Sequence, residues 1–479
     1  MNYDPHQRLP RPAARGYLML LALVFGSIFL TVLGALVSVT LTQNRAQNVA
    51  TGQSRALALA EAGLEYYRWF LAHNPGNLTN GTGQPGPYVL TYDDPEGGAV
   101  GTVTLEVSGT NYCGQPGVVD LRATGAPSDN SGATRTLRAR YAQPSVASYS
   151  YILNDSVWAG PDRVINGPYH SNGGVRMDGT TNAPVSSSLA SWLCTSSFGC
   201  SSNRTVTGVF GAAANQELWT YPEPQLDFAG IAADFGSLKT KAQTSGRYLP
   251  RYSSGASNNS SYWRGYHLIF NSNGTVTVRR VNNTNQLTVT PINTAEGTTD
   301  RTFISTESAY ATYTLPSDCG LIYVEDNVWI EGTVNGKITV VAANIVTTGV
   351  EPNAMLPDNL TYAGTDDGLT LIAENNVLIT PDSPQNMSLN GIFIAQGGAF
   401  GRNLYSCSSS YEPRGTLTIK GTTVSNRRTG TKWVNGCGSG DDAGYQNRID
   451  AYDRVLATDP PPFTPVISTD YQFVDWREE

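Results

Sequence analysis

Residues 17–41 read YLMLLALVFGSIFLTVLGALVSVTL, and residues 54–76 read SRALALAEAGLEYYRWFLAHNPG. The first stretch carries no charge and is interrupted only by Gly26, Ser27, Thr31, Gly34, Ser38 and Thr40; the next charge is Arg45. A helix of that length spans a hydrocarbon core of ~30 Å with some tilt. Arg8, Arg11 and Arg15 on its N-terminal side would hold that side in the cytoplasm. A cleaved signal peptide has an apolar region of only ~7–15 residues, so the segment is too long for one. In the second stretch Leu57, Ala60, Leu64, Tyr67 and Leu71 recur at spacings of three and four, which predicts one apolar helical stripe. Asn74-Pro75-Gly76 ends it, because the residue before proline leaves the α region. Together the stretches predict a helix from Tyr17 to Ala72, ~84 Å long. Its first half suits lipid and its second half suits packing on a protein surface.

A short basic leader ending in Gly16, the aromatic Tyr17, the apolar helix and its Ala-rich continuation resemble a type IV prepilin. AEAGLEYYR, residues 60–68, looks like the PilX-type minor pilins. The resemblance covers about residues 1–75. It implies that a prepilin peptidase cuts between Gly16 and Tyr17, that the helix leaves the bilayer to pack against other pilin subunits, and that the chain moves from the bacterial inner membrane to an extracellular filament. The residue five places into the processed chain is glutamate in major pilins; here it is Leu21. That departure agrees with minor and tip-like subunits. Processing would remove Arg8, Arg11, Arg15 and Asp4 from 31 basic and 39 acidic residues, leaving a net charge of −10.

The expected fold class is mainly β. A long helix with a small antiparallel sheet comes first, then a parallel β-helix with an α+β insertion. Between 88 and 141 four segments alternate with period two: Tyr88–Tyr92, Thr102–Val107, Val119–Ala123 and Arg135–Tyr141. They predict a head over 17–143, behind a leader at 1–16. From about 150 to 479 short apolar segments recur between Gly and Asn turns: Ile322/Val324, Val328/Ile330, Ile338/Val340, Ile345, Leu369/Leu371, Ile392/Ile394 and Leu417/Ile419. Such short strands predict solenoid coils, with a sandwich of hairpins as the alternative. INGPYHSNG and GTVNG also resemble β-helical domains attached to PilX-like N-termini. An insertion is expected at about 180–318. It would hold one helix (Phe228, Ile231, Phe235, Leu238, Ala242) and a hairpin around Ser272-Asn273-Gly274. After Pro460-Pro461-Pro462, Tyr471, Phe473 and Trp476 are expected to form a cap, about 455–479, over a solenoid end.

The six cysteines are an even set with no CxxC spacing, so export predicts disulfides, with buried or free thiols as the alternative. Cys194 with Cys200 and Cys407 with Cys437 are the candidate local bridges. The mild acidity argues against nucleic acid as a partner. No nucleophile elbow, H-E-x-x-H, P-loop or dinucleotide fingerprint occurs. Neither a catalytic residue nor a metal ligand nor a cofactor is therefore assigned, and no enzyme activity is expected. His170 and His267 read as structural. Asp155, Asp162, Glu325 and Asp326, the residues a polysaccharide-cleaving β-helix would use, read as turn residues, as do Asp358, Asp366, Asp367, Asp441 and Asp442. The function expected is that of a structural minor pilin presenting a β-helical body. The rivals are a surface adhesin binding a glycan from a signal anchor, and a membrane-anchored polysaccharide lyase or hydrolase.

Overall fold

Helix α1 runs unbroken from Tyr17 to His73, one residue past the expected end. The computed structural model describes residues 17–74, 76–113, 115–129, 131–252, 263–292, 298–316, 319–468 and 470–479. The leader 1–16, with Gly16 and its arginines, lies outside the described residues, as does Pro75.

Strands β1 (Tyr88–Asp93), β2 (Ala99–Tyr112), β3 (Gln115–Pro127) and β4 (Arg135–Ala142) form an antiparallel meander in that order. Alternate residues Val103, Leu105, Leu121, Ala123, Leu137, Ala139 and Tyr141 turn one face toward α1. The helix answers with Leu59, Ala60, Leu64, Tyr67, Phe70 and Leu71. Leu57, expected in this stripe, is only half-buried, because the buried arc runs through Ala56, Leu59, Gly63 and Phe70 instead. Helix and sheet approach closely enough to demand glycine. A Cβ on Gly125 would sit 2.1 Å from the Ala56 carbonyl oxygen, and one on Gly63 would sit 2.4 Å from Val103 Cγ1.

The sheet has a fifth strand that sequence did not place there. Gln472–Glu478 pairs antiparallel with β4, matching Phe473 to Tyr141 and Trp476 to Ala139. The cap expected over a solenoid end is thus corrected: Tyr471 and Phe473 lie 5.1 and 5.5 Å from the Tyr141 ring, on the head. The outer edge of β4 supplies the reason, since an unpaired strand edge is satisfied by another strand.

The body coils. One parallel ladder runs Arg247–Leu249, Leu321–Val324, Lys337–Ala342, Gly368–Ala373, Met387–Ala395, Arg414–Ser425, Tyr151–Leu153, Tyr169–Ser171, Val185–Ser187 and Trp219–Thr220. A second runs through Gly265–Phe270, Asn327–Val334, Ala354–Leu356, Val377–Ile379 and Phe400–Gly401. A third takes the far ends of the long strands through Ala443–Ala451 to Arg163–Asn166 and Thr180–Thr181. These are the stacked faces of a parallel β-helix, not the hairpins of a sandwich. Ile322, Val324, Val328, Ile330, Ile338, Val340, Leu369, Leu371, Leu417 and Ile419 fill the interior as expected. Ile392 and Ile394 face outward, with Phe393 and Ala395 inward. The alternation set by the inward Met387 and Leu389 continues through Gly391 (φ +152°) and leaves the even positions 392 and 394 on the outer face. At three successive corners beside the second ladder a buried asparagine accepts from the backbone of the next coil: Asn327 Oδ1 from Asn353 N (2.9 Å), Asn353 Oδ1 from Asn376 N (3.0 Å), and Asn376 Oδ1 from Ala399 N (2.7 Å).

Coil order differs from chain order. The chain enters mid-stack at Tyr151, winds outward to Thr220, then crosses to the far end at Arg247 and coils back until Thr423–Ser425 meets Tyr151–Leu153. The stretch 180–318 is therefore no simple insertion, because 180–181, 185–187, 219–220, 247–249 and 265–270 are ladder strands. Outside the ladders lie the hairpin of Ser191–Cys194 with Arg204–Thr207, the antiparallel extension Thr275–Thr284 and Ile304–Thr314 with its turn at 272–274, the small pair Leu287–Thr288 with Thr299–Asp300, and the crossover. The single helix expected in the crossover is two, α2 (Phe228–Ile231) and α3 (Phe235–Thr244). Asp234 interrupts them by accepting from Gly236 N and Ser237 N and so starting a new helix. Ile231, Leu238 and Ala242 cover the outward residues Leu321, Tyr323, Val341 and Ile372 of the first ladder.

Candidate functional site

Every residue of α1 from Tyr17 to Thr51 is exposed, and burial begins at Gly52. Tyr17 is 75% exposed and Leu21 is 41% exposed. The most apolar 18-residue window of the helix has a mean hydropathy of 2.6, and none of it is buried. Ser27, Thr31, Thr40 and Thr42 turn their hydroxyls back onto carbonyls three or four residues earlier, so these polar groups are satisfied within the helix itself. Such a surface is stable in lipid or against other apolar helices, and costly in water. The candidate site is therefore an interaction surface. Of the processing pair, Tyr17 is the first described residue and Gly16 is not described.

Head and body are fastened together at two places. Cys113, in the β2–β3 turn, is bonded to Cys319, just before the ladder strand Leu321–Val324. The chain's own end returns to β4, held by Arg122–Glu479 (2.8 Å) and Arg454–Asp475 (3.1 Å). Cys194–Cys200 and Cys407–Cys437 are also bonded, closing local loops. Sequence reasoning named those four cysteines and left Cys113 and Cys319 without partners. Their separation of 206 residues offers no local signal.

Where the first coil meets the last, the seam is closed by a buried charge cluster that the sequence did not suggest. Asp450 accepts from Arg163 Nη2 (2.5 Å) and from Arg448 Nε (2.9 Å). Burial opposes the Asp450 charge, but the two guanidinium groups outweigh it and hold the carboxyl below its usual range. Tyr151 lies between the two arginines, 5.0 Å from each.

The polar residues weighed for chemistry are scattered. Asp155 is exposed and accepts from Ser156 N (2.6 Å). Glu325 is buried against Lys239 (2.5 Å) and the Tyr248 hydroxyl. Asp326 accepts from Tyr252 N (2.8 Å) and Asn327 N (2.9 Å). Five ladder steps separate the strand before Glu325 from the strand before Asp155, or ~24 Å. A glycosidase pair lies at most ~9.5 Å apart. Asp367 caps a turn through Gly336 N (2.7 Å) and Gly364 N (2.6 Å), and Asp442 accepts from Asn435 N (2.9 Å). Among the described residues no three His, Cys, Asp or Glu side chains gather as a metal would need. Glu374, passed over in the sequence, has its carboxyl lifted by burial to about 7, against a hydrogen bond from Asn344 N (2.7 Å).

His170 is buried and bonded to Ser186 Oγ (2.8 Å) and Asn172 Oδ1 (3.1 Å); burial lowers its pKa. His267 sits between Glu307 (Nδ1–Oε2 2.9 Å) and Glu331 (Nε2–Oε1 3.6 Å), with Arg279 bonded to Glu307. Burial disfavours its charge, but the two glutamates prevail and raise its pKa above the ordinary value. The raised folded-state pKa adds stability that is complete below pH ~6.5 and is lost as pH rises through the folded value. His267→Gln should flatten the melting temperature against pH just above 6.5. An unchanged pH profile in that variant would contradict the assignment.

A helix whose lower half lies on a small antiparallel sheet and whose upper half projects bare defines a pilin-like fold, here carrying a β-helical body. No family model matches the chain, and no curated protein matches it. Among solved structures it is similar to the crystal structure of the competence-associated pilin ComZ from Thermus thermophilus. The two are 13% identical, the match covers 90% of this chain and 98% of that one, and the TM-score is 0.32.

Proposed function

We propose that the chain is a structural minor subunit of a type IV pilus or related pseudopilus, which displays its β-helical body outside the cell. The observation that carries this reading is the division of α1. A simple membrane anchor has no need of a helix that continues without a break into the core of a folded head, whereas a subunit of a helical filament must transmit position from its packed helix to its surface domain. On this reading a prepilin peptidase cuts after Gly16, and the chain, first held in the inner membrane, leaves the bilayer as Tyr17–Thr51 packs among the helices of other pilins. The Cys113–Cys319 bond and the returning C-terminal strand then make the body a rigid extension of the head.

A photo-crosslinking residue at Val37, which is exposed on the projecting half, tests this in cells. Adducts with a second pilin in sheared filaments support the reading. Adducts confined to lipid, with none in the filament fraction, contradict it.

A further inference from the structure

The seam between the first and last coils opens into a cavity of about 490 Å³, within the ~300–1,000 Å³ typical of small-molecule sites. Its wall brings together Trp158 from the first coil, Trp433 and Val434 from the last, and the loop at Thr290–Ile292. Both indoles are held in place. Trp158 Nε1 donates to Asp178 (2.8 Å), with Arg176 4.5 Å over its ring, and Trp433 Nε1 donates to the Arg402 carbonyl (3.0 Å). Lys432 Nζ stands between two carboxylates of the same wall, 3.1 Å from Asp442 and 3.8 Å from Asp162. The Cys407–Cys437 bond anchors the loop that carries Val434 and Asp442.

We infer that this seam cavity binds a neutral saccharide. Most of the charges it presents are matched: Lys432 lies against Asp162 and Asp442, Arg163 and Arg448 share Asp450 behind the wall, and Arg428 is engaged by the Ser197 carbonyl and the Phe198 ring. A wall of matched charges gives an ionic ligand little net attraction, but it offers acceptors and a donor at short spacing. Vicinal hydroxyls use that arrangement, donating to the carboxylates and accepting from the ammonium. Indole rings complement the apolar C–H face of a pyranose and keep their N–H groups satisfied elsewhere. Neither indole is fully buried: Trp158 and Trp433 both keep exposed area at the cavity wall, while Tyr151, Leu153, Ile165 and Tyr169 close the adjoining interior. The inference stands independently of the filament reading, as the cavity lies wholly within the body.

Full-length protein in detergent would be titrated with cello-, malto- and chito-pentaose, and with an acidic oligogalacturonate, following tryptophan fluorescence. A saturable response to at least one neutral oligosaccharide is expected. Val434→Arg, which fills the cavity from a position 51% exposed, should weaken it about tenfold or more, and so should Trp433→Ala. Trp69→Ala, on α1 far from the seam, should leave it unchanged. If Trp433→Ala fails to fold by circular dichroism, Val434→Arg alone decides, because its site is on the surface. No saturable response to any neutral oligosaccharide, a response to the acidic one alone, or binding that Val434→Arg leaves intact would each overturn the inference.

Discussion

Replacing Leu64 with Asp should abolish head folding and filament incorporation together. Leu64 is 2% exposed, in a cluster with Val103, Leu105, Leu121 and Tyr141. Its surroundings offer no cation at hand: the nearest basic residue on the helix, Arg68, is engaged with Glu65 on the solvent side. An uncompensated charge buried there costs at least ~3 kcal/mol, a large share of a small domain's stability. The glycines at 63 and 125 leave no slack for the helix to move away, since backbone and side chains already meet across them. Asp155→Asn is the matched control. The residue is exposed and the amide oxygen can still accept from Ser156 N, so both folding and incorporation should persist. Circular dichroism of the purified variants and immunoblots of sheared filaments check the pair. A folded, incorporated Leu64→Asp protein would show that α1 does not carry the head.

The second large effect concerns Cys113–Cys319. Cross-link entropy grows with the length of chain closed, so the three disulfides should rank by their separations of 206, 30 and 6 residues. On that scale the losses are ~5, ~3.6 and ~2 kcal/mol respectively. Serine pairs at each bridge, melted under the same conditions, should therefore fall furthest for Cys113/Cys319. The bond also joins the head to the body, where exposed ion pairs such as Arg454–Asp475 contribute only ~0–1 kcal/mol each. Its loss should loosen the head against the body before either unfolds, and a separate early transition should appear in the melt. A Cys113/Cys319 variant that melts as a single transition with the smallest loss of the three would refute this ranking.

What sequence could show and what it could not divide along physical lines. The helix and the four head strands announce themselves through local periodicity, and each sits within a few residues of its expected place. The coils were legible for the same reason, since Ile322/Val324 or Leu369/Leu371 needs only the adjacent turn to be recognised. Apart from the break that Asp234 makes between α2 and α3, most of what was missed depends on chain segments far apart. Ile392 and Ile394 look like an interior pair, but they hold the outward parity set by Met387 and Leu389 and are buried by outer elements that only the fold brings there. Tyr471 and Phe473 carry no mark telling whether a β-helix end or the edge of β4 receives them. The crossover from Thr220 to Arg247 makes the coil order differ from the chain order, and so places Trp158 beside Trp433 and Asp450 between Arg163 and Arg448. Periodicity contains no term for such juxtapositions. Cys113 and Cys319 belong to the same class, whereas Cys194 and Cys200 could be matched by nearness alone.

Top-down mass spectrometry of the chain recovered from sheared surface filaments tests the filament assignment most directly. The account predicts that the chain is present in that fraction, begins at Tyr17 and has lost residues 1–16 with Arg8, Arg11 and Arg15. A chain absent from the filaments, found only in the membrane fraction with Met1 and its leader intact in cells making an active prepilin peptidase, would contradict it.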